Sequence, residues 1–200
     1  MPLTYRLPQR LARLLLGLAT YGVSISLMVR AGLGNQPWDV LHQGLAKHTG
    51  LSIGTILIIT GAAVLLCWIP LRQRPGIGTV ANIVVIGIVV DLANAVLTAP
   101  AHLATRVAFM GGGIALCGVA SGLYIGANLG PGPRDGLMTG LARRSWSLRG
   151  WRTVTEICVV VAGFLLGGTV GIGTIAYALA IGPLAQFFLP IFTVSPNDFE

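Results

Sequence analysis

Residues 22–46 read GVSISLMVRAGLGNQPWDVLHQGLA, and residues 118–142 read GVASGLYIGANLGPGPRDGLMTGLA. At a constant offset of 96, 12 of the 25 positions are identical, among them Leu33-Gly34, Pro37, Asp39 and Leu41 against Leu129-Gly130, Pro133, Asp135 and Leu137. A second match follows at an offset of 95, Gly76-Ile77-Gly78-Thr79 against Gly171-Ile172-Gly173-Thr174. A duplicated half of this length in an apolar chain points to a membrane protein built from two related repeats, here residues 1–99 and 100–200.

Composition agrees. Mean hydropathy is +0.81, 54% of residues are hydrophobic and only 10% are charged. A soluble domain carries roughly 25% charged residues, so this chain lacks the charge to cover a water-facing surface. The net charge of +7 is better explained by basic loops on one membrane side than by nucleic-acid binding, and no nucleic-acid partner is expected. The cysteines Cys67, Cys117 and Cys158 lie in apolar stretches without a CxxC pair and read as small buried hydrophobes.

Six spans are expected near 11–31, 52–70, 78–98, 103–127, 152–169 and 171–192, the first uncleaved. Between spans one and two, and again between spans four and five, a Gly-Pro-initiated segment looks helical for about ten residues, too short to cross a bilayer. With both termini cytoplasmic, ten basic residues fall inside and Arg30, Lys47 and Arg106 fall outside, a positive-inside bias. Three spans per repeat is an odd number, so the expected fold is an all-α polytopic membrane protein of two inverted three-helix repeats. Gly118, Gly122 and Gly126 on span four and Gly163 and Gly167 on span five form small faces. Packing within the bundle is their simpler use, and a homodimer the lesser one.

The repeated motif carries the candidate chemistry. Gly34 and Gly130 permit backbone angles closed to other residues. Pro37 and Pro133 suit the first turn of a helix, and Asp39 and Asp135 follow at about the third helical position. Capping explains those acids most simply. The functional alternative is a broken helix whose amino end faces a central cavity, where amides bind an anion and carboxylates a cation or proton. Arg134 is expected to pair with Asp135 or attract an anion; its counterpart is Trp38. Two further acids lie within or near spans, Asp91 and Glu156. Asp91 aligns with Gln186, and the pair is expected to line a central polar cavity. Glu156, aligned with Thr60, is expected beside Arg152 near the cytoplasmic interface. His42, His48 and His102 read as solvated, and Trp38, Trp68, Trp146 and Trp151 as interface anchors. There is no GxSxG, HExxH or P-loop, so neither enzyme, metal nor cofactor is expected.

GLGNQPWDVLHQG at 32–44 and GPGPRDGLMTGLA at 130–142 resemble the recurring stretches of the YczE/YyaS/YitT membrane proteins. The resemblance implies an integral protein of the bacterial cytoplasmic membrane and no particular reaction. The leading expectation is a transporter of a small solute or ion that does not hydrolyse ATP. The competing one is a non-transporting accessory or regulatory protein acting through a partner complex.

Overall fold

A computed structural model describes residues 6–144 and 147–193, which form eight helices. These are α1 (Leu7–Ala31), α2 (Pro37–Thr49), α3 (Ile53–Leu71), α4 (Ile77–Val96), α5 (Leu103–Gly126), α6 (Pro133–Ala142), α7 (Leu148–Leu165) and α8 (Ile172–Phe192). Five of them, α1, α3, α4, α5 and α8, are long and apolar enough to cross a membrane. The six expected spans are therefore five by this measure. The exception, α7, carries Arg149, Arg152 and Glu156 in its first half. Trp146 lies outside the described residues.

Burial differs from that of a water-soluble domain in what lies on the outer face. Leu66, Ile69, Leu165, Ile172 and Leu179 face outward, while Asn35, Gln36, Asp39, His42 and Thr79 are buried. Lipid accepts apolar side chains, and polar groups avoid it by turning inward to partners or cavities. The chain is a helical membrane protein. Its centre is α1, which packs along α4 and α5. Leu14, Leu18, Ile25, Leu57, Ile86 and Val90 form one core cluster, and Met28, Ile114, Cys117, Tyr177 and Ile181 another. Of the three cysteines only Cys117 is buried. Cys67 and Cys158 are exposed on helices α3 and α7 rather than buried, because lipid accepts small apolar side chains on the outer face as well.

The duplication reappears as pairs of equivalent bonds, each made between the two halves. The Arg10 Nε donates to Ala127 O at 2.8 Å, and the Arg106 Nε donates to Ala31 O at 2.7 Å. Each arginine thereby satisfies carbonyls at the end of the other half's long helix, where a cation is also favoured by the helix dipole. Gly78 N donates to Leu129 O at 2.9 Å, and Gly173 N to Leu33 O at 2.8 Å. Each LG turn is thus held by the GIGT segment of the opposite half. The glycine face of α5 serves internal packing: added carbons at Gly118, Gly122 and Gly126 would collide with Leu184, Phe188 and Phe192 of α8.

Candidate functional site

The site grows from the two LG turns. Gly34 has φ +119° and Gly130 has φ +126°, angles that L side chains rarely adopt. Space forbids a side chain as well: a Cβ on Gly34 would lie 2.8 Å from Thr174 Oγ1, and one on Gly130 2.9 Å from Thr79 Oγ1. Each turn leads to a proline at the first helical position, Pro37 of α2 or Pro133 of α6. Proline has no amide hydrogen to lose there and its φ already suits a helix.

The starts of α2 and α6 meet. The Arg134 guanidinium lies 5.0 Å from the centre of the Trp38 ring, within cation–π range. These two residues occupy equivalent places in the two repeats. Behind them runs a chain of polar contacts, buried at Asp39 and His42: Arg134 is 3.7 Å from Asp39 Oδ1, which is 3.0 Å from His42 Nδ1, while His42 Nε2 is 2.9 Å from Thr60 Oγ1. Burial pushes the His42 imidazole below its ordinary pKa, against the opposing pull of the Asp39 hydrogen bond. On the α6 side, the Tyr124 hydroxyl donates to Asp135 Oδ2 at 3.1 Å. Tyr21, set edge-on to Tyr124, donates to Gln36 Oε1 at 3.2 Å.

Three small cavities converge here, of about 70, 20 and 60 Å³, and Arg134 lines all of them. Several buried polar atoms have no hydrogen-bond partner: Gln36 Nε2, Trp38 Nε1, Asp39 Oδ2 and Asn35 Oδ1. Such atoms are costly unless something satisfies them, and they mark candidate ligand positions.

Asp39–His42–Thr60 has the atom order of a nucleophilic triad, carboxylate to Nδ1 and Nε2 to hydroxyl. The cavity beside Thr60 is about 20 Å³, which holds a water rather than an acyl substrate. Thr60 also lies 2.9 Å from Ile56 O one turn back. We read the three as a support that fixes Asp39 behind Arg134.

The expected site residues are only partly gathered. Gly34, Pro37, Asp39, Gly130, Pro133, Arg134 and Asp135 build the turns, the helix starts and the cavities. Arg134 pairs with Asp39 and Trp38, not with neighbouring Asp135. Both aspartates sit in the first turn of their helices, as expected, with their carboxylates turned to His42 and Tyr124. Glu156 accepts from Arg152 Nε at 3.0 Å and lines the 60 Å³ cavity. Asp91 and Gln186 are not brought together. Asp91 turns to the start of α3, accepting from Gly54 N at 2.8 Å and Ser52 Oγ at 2.6 Å. Equivalent positions are not adjacent positions, and Asp91 closes a helix–helix contact instead of lining the cavity.

Three tryptophan and histidine readings change too. His42 is 1% exposed, not solvated. Trp68 is buried, donating to Pro133 O at 3.0 Å, and Trp38 is a stacking partner. The missed residues Gln36 and His42 had signals. Asn35-Gln36 is a polar pair inside an apolar run, and Asp39 and His42 share a helix face at a spacing of three. Among the described residues no group of three His, Cys, Asp or Glu could hold a metal.

The model of a family of unknown function, DUF6198, matches residues 8–190. An uncharacterized protein of Haemophilus influenzae is 43% identical over 185 residues, covering 92% of this chain and 85% of its own. The uncharacterized membrane protein YczE of Bacillus subtilis is 35% identical over 172 residues, covering 85% of this chain and 80% of its own. The uncharacterized protein YyaS of Bacillus subtilis is 27% identical over 183 residues, covering 88% and 90%. No solved structure matches the chain.

Proposed function

We propose that this integral membrane protein, which belongs to the DUF6198 family and to the YczE/YyaS group, carries a small solute or ion across the bacterial cytoplasmic membrane without ATP hydrolysis. The observation that carries the reading is the meeting of Trp38 and Arg134, equivalent residues of two duplicated half-helices, at a cluster of polar cavities. Broken helices whose amino ends converge on a central site are how many secondary transporters hold their substrates.

The reading includes six spans in two inverted repeats, with both termini cytoplasmic. The paired bonds at Arg10 and Arg106, and at Gly78 and Gly173, support a pseudo-two-fold axis between the halves. α7 serves as the sixth span in this arrangement: its latter part is apolar and outward-facing at Ile157, Val161, Phe164 and Leu165, while Arg152 and Glu156 adjoin the polar cavities. Single cysteines at Lys47 and Arg149 should label from opposite sides of the membrane; labelling from one side overturns the inverted arrangement.

Transport is tested in proteoliposomes with a panel of radiolabelled carboxylates, amino acids and monovalent cations. Saturable uptake that Arg134→Gln abolishes is expected. Inactivity across the panel, with a partner complex that co-purifies stably from the membrane, would favour the accessory role instead.

A further inference from the structure

A cleft of about 360 Å³ separates α7 from α8. Its walls are apolar, chiefly Ile157, Val160, Val161, Ile175, Ala178 and Leu179, and it opens sideways between two outward-facing helices. At one end it shares Pro37 and Glu156 with the 60 Å³ polar cavity. An apolar slot that opens toward lipid and leads to buried polar groups has the layout of a site for an amphiphile.

The polar end favours an anion. Among the residues that line it, the unpaired buried atoms are donors: Gln36 Nε2, 2% exposed as a residue, and Trp38 Nε1 both lack partners, and the Arg134 guanidinium rests on the Trp38 ring. Two helix amino ends add positive potential at the same place. The acids that line the cavity are already engaged. Asp135 accepts from Tyr124, and Glu156 from Arg152. Asp39 lies behind Arg134 and outside the cavity lining, its Oδ1 held by His42 and its Oδ2 unpaired. The cavity of about 60 Å³ admits a group of a few water volumes, the size of a carboxylate.

We propose that the ligand is a single-chain carboxylate, its head bound by Arg134, Gln36 and Trp38 and its apolar tail lying between α7 and α8. This deepens the transport reading of the same cavity and rests on it. The lateral cleft distinguishes the proposed ligand from a small free carboxylate, which would use the polar end alone.

The test is thermal unfolding of the full chain in nanodiscs with four probes: decanoate below its micelle concentration, acetate, decanol and decyltrimethylammonium. Decanoate at about 100 times its Kd should raise Tm by roughly 5–10 °C, and the other three much less. Arg134→Gln should remove the shift. Ala178→Phe, on the outward-facing cleft wall, should weaken decanoate binding at least tenfold without lowering the ligand-free Tm. Equal stabilisation by acetate or decanol, preference for the cation, or a decanoate shift unchanged in both variants overturns the proposal. Flux separates the two readings. Decanoate that binds in this pattern but is not moved across proteoliposomes leaves the site standing and removes transport. Saturable uptake of another solute, with decanoate inert, does the reverse.

Discussion

The two halves place similar helices side by side and join them differently. In the first half, α3 and α4 are clasped. Gly54 and Gly87 let their backbones touch, and Asp91 on α4 accepts from the Gly54 amide and the Ser52 hydroxyl at the start of α3. In the second half, α7 and α8 stand apart across the apolar cleft. Gly182, the counterpart of Gly87, has nothing within 4 Å of an added carbon. Gln186 replaces Asp91, and among the described residues no hydrogen bond joins it to α7. A carboxylate aimed at free amino-terminal amides gains both charge-assisted hydrogen bonds and the favourable end of the helix dipole. A neutral carboxamide gains much less. The duplicated gene kept the helices and changed the fastener, leaving one side of the bundle closed and the other open.

The largest expected effect separates the two glycines. Gly54→Leu must displace Gly87 and Asp91, and overpacking of this kind costs about 1–3 kcal/mol or more. Loss of folded protein is expected, read as a fall in Tm of the detergent-solubilised chain. Gly182→Ala meets open space and should hold stability or raise it by about 0.5–1 kcal/mol, since alanine favours the helix. Equal sensitivity at both positions would mean that α7 and α8 also close tightly in solution.

The next effect concerns the fastener. Asp91→Leu leaves the Gly54 amide and Ser52 hydroxyl without their acceptor and should cost about 1–3 kcal/mol. Asp91→Asn, which keeps one acceptor oxygen, should cost about 1 kcal/mol. The matching substitution Gln186→Leu should stay within about 0.5 kcal/mol. If Asp91→Asn leaves stability intact and abolishes transport instead, Asp91 belongs to the solute path and the clasp is incidental.

Much of this was legible in the chain. The repeat located both turns, and Gly34 and Gly130 do take the backbone angles that favour glycine. Pro37 and Pro133 do open short helices. A repeat shows which residues are equivalent, however, and says nothing of which ones touch. Trp38 and Arg134 are both equivalent and adjacent, whereas Asp91 and Gln186 are only equivalent. The interlocking of Arg10 with Ala127 and Arg106 with Ala31 follows from the same offset but needs the third dimension. Hydrophobicity fails for Cys67, Cys158 and Trp68 for a separate reason. Where lipid surrounds the protein, interior and exterior are both apolar, so an apolar side chain does not reveal which way it faces.

The smallest expected effect lies in a difference between the two short helices. α2 carries His42 where α6 carries Met138, so only the first has a titratable group at this point. His42 is buried between Asp39 and Thr60, and burial lowers its pKa from the ordinary 6.5. The unfolded chain therefore takes up the proton at a higher pH than the folded one. Above 6.5 both states hold a neutral imidazole and stability is at its full value. As pH falls through 6.5 toward the lower folded pKa, the unfolded state binds more protons and stability declines; below the folded pKa the loss levels off. Melting curves of the wild type between pH 7.5 and 5 should show a falling Tm across that window, and His42→Gln, which keeps hydrogen bonding without the titration, should flatten it. A Tm that rises on acidification in the wild type, and not in His42→Gln, would mean that Asp39 holds the imidazolium as a true ion pair and that the charge of α2 at this site is positive where that of α6 is not.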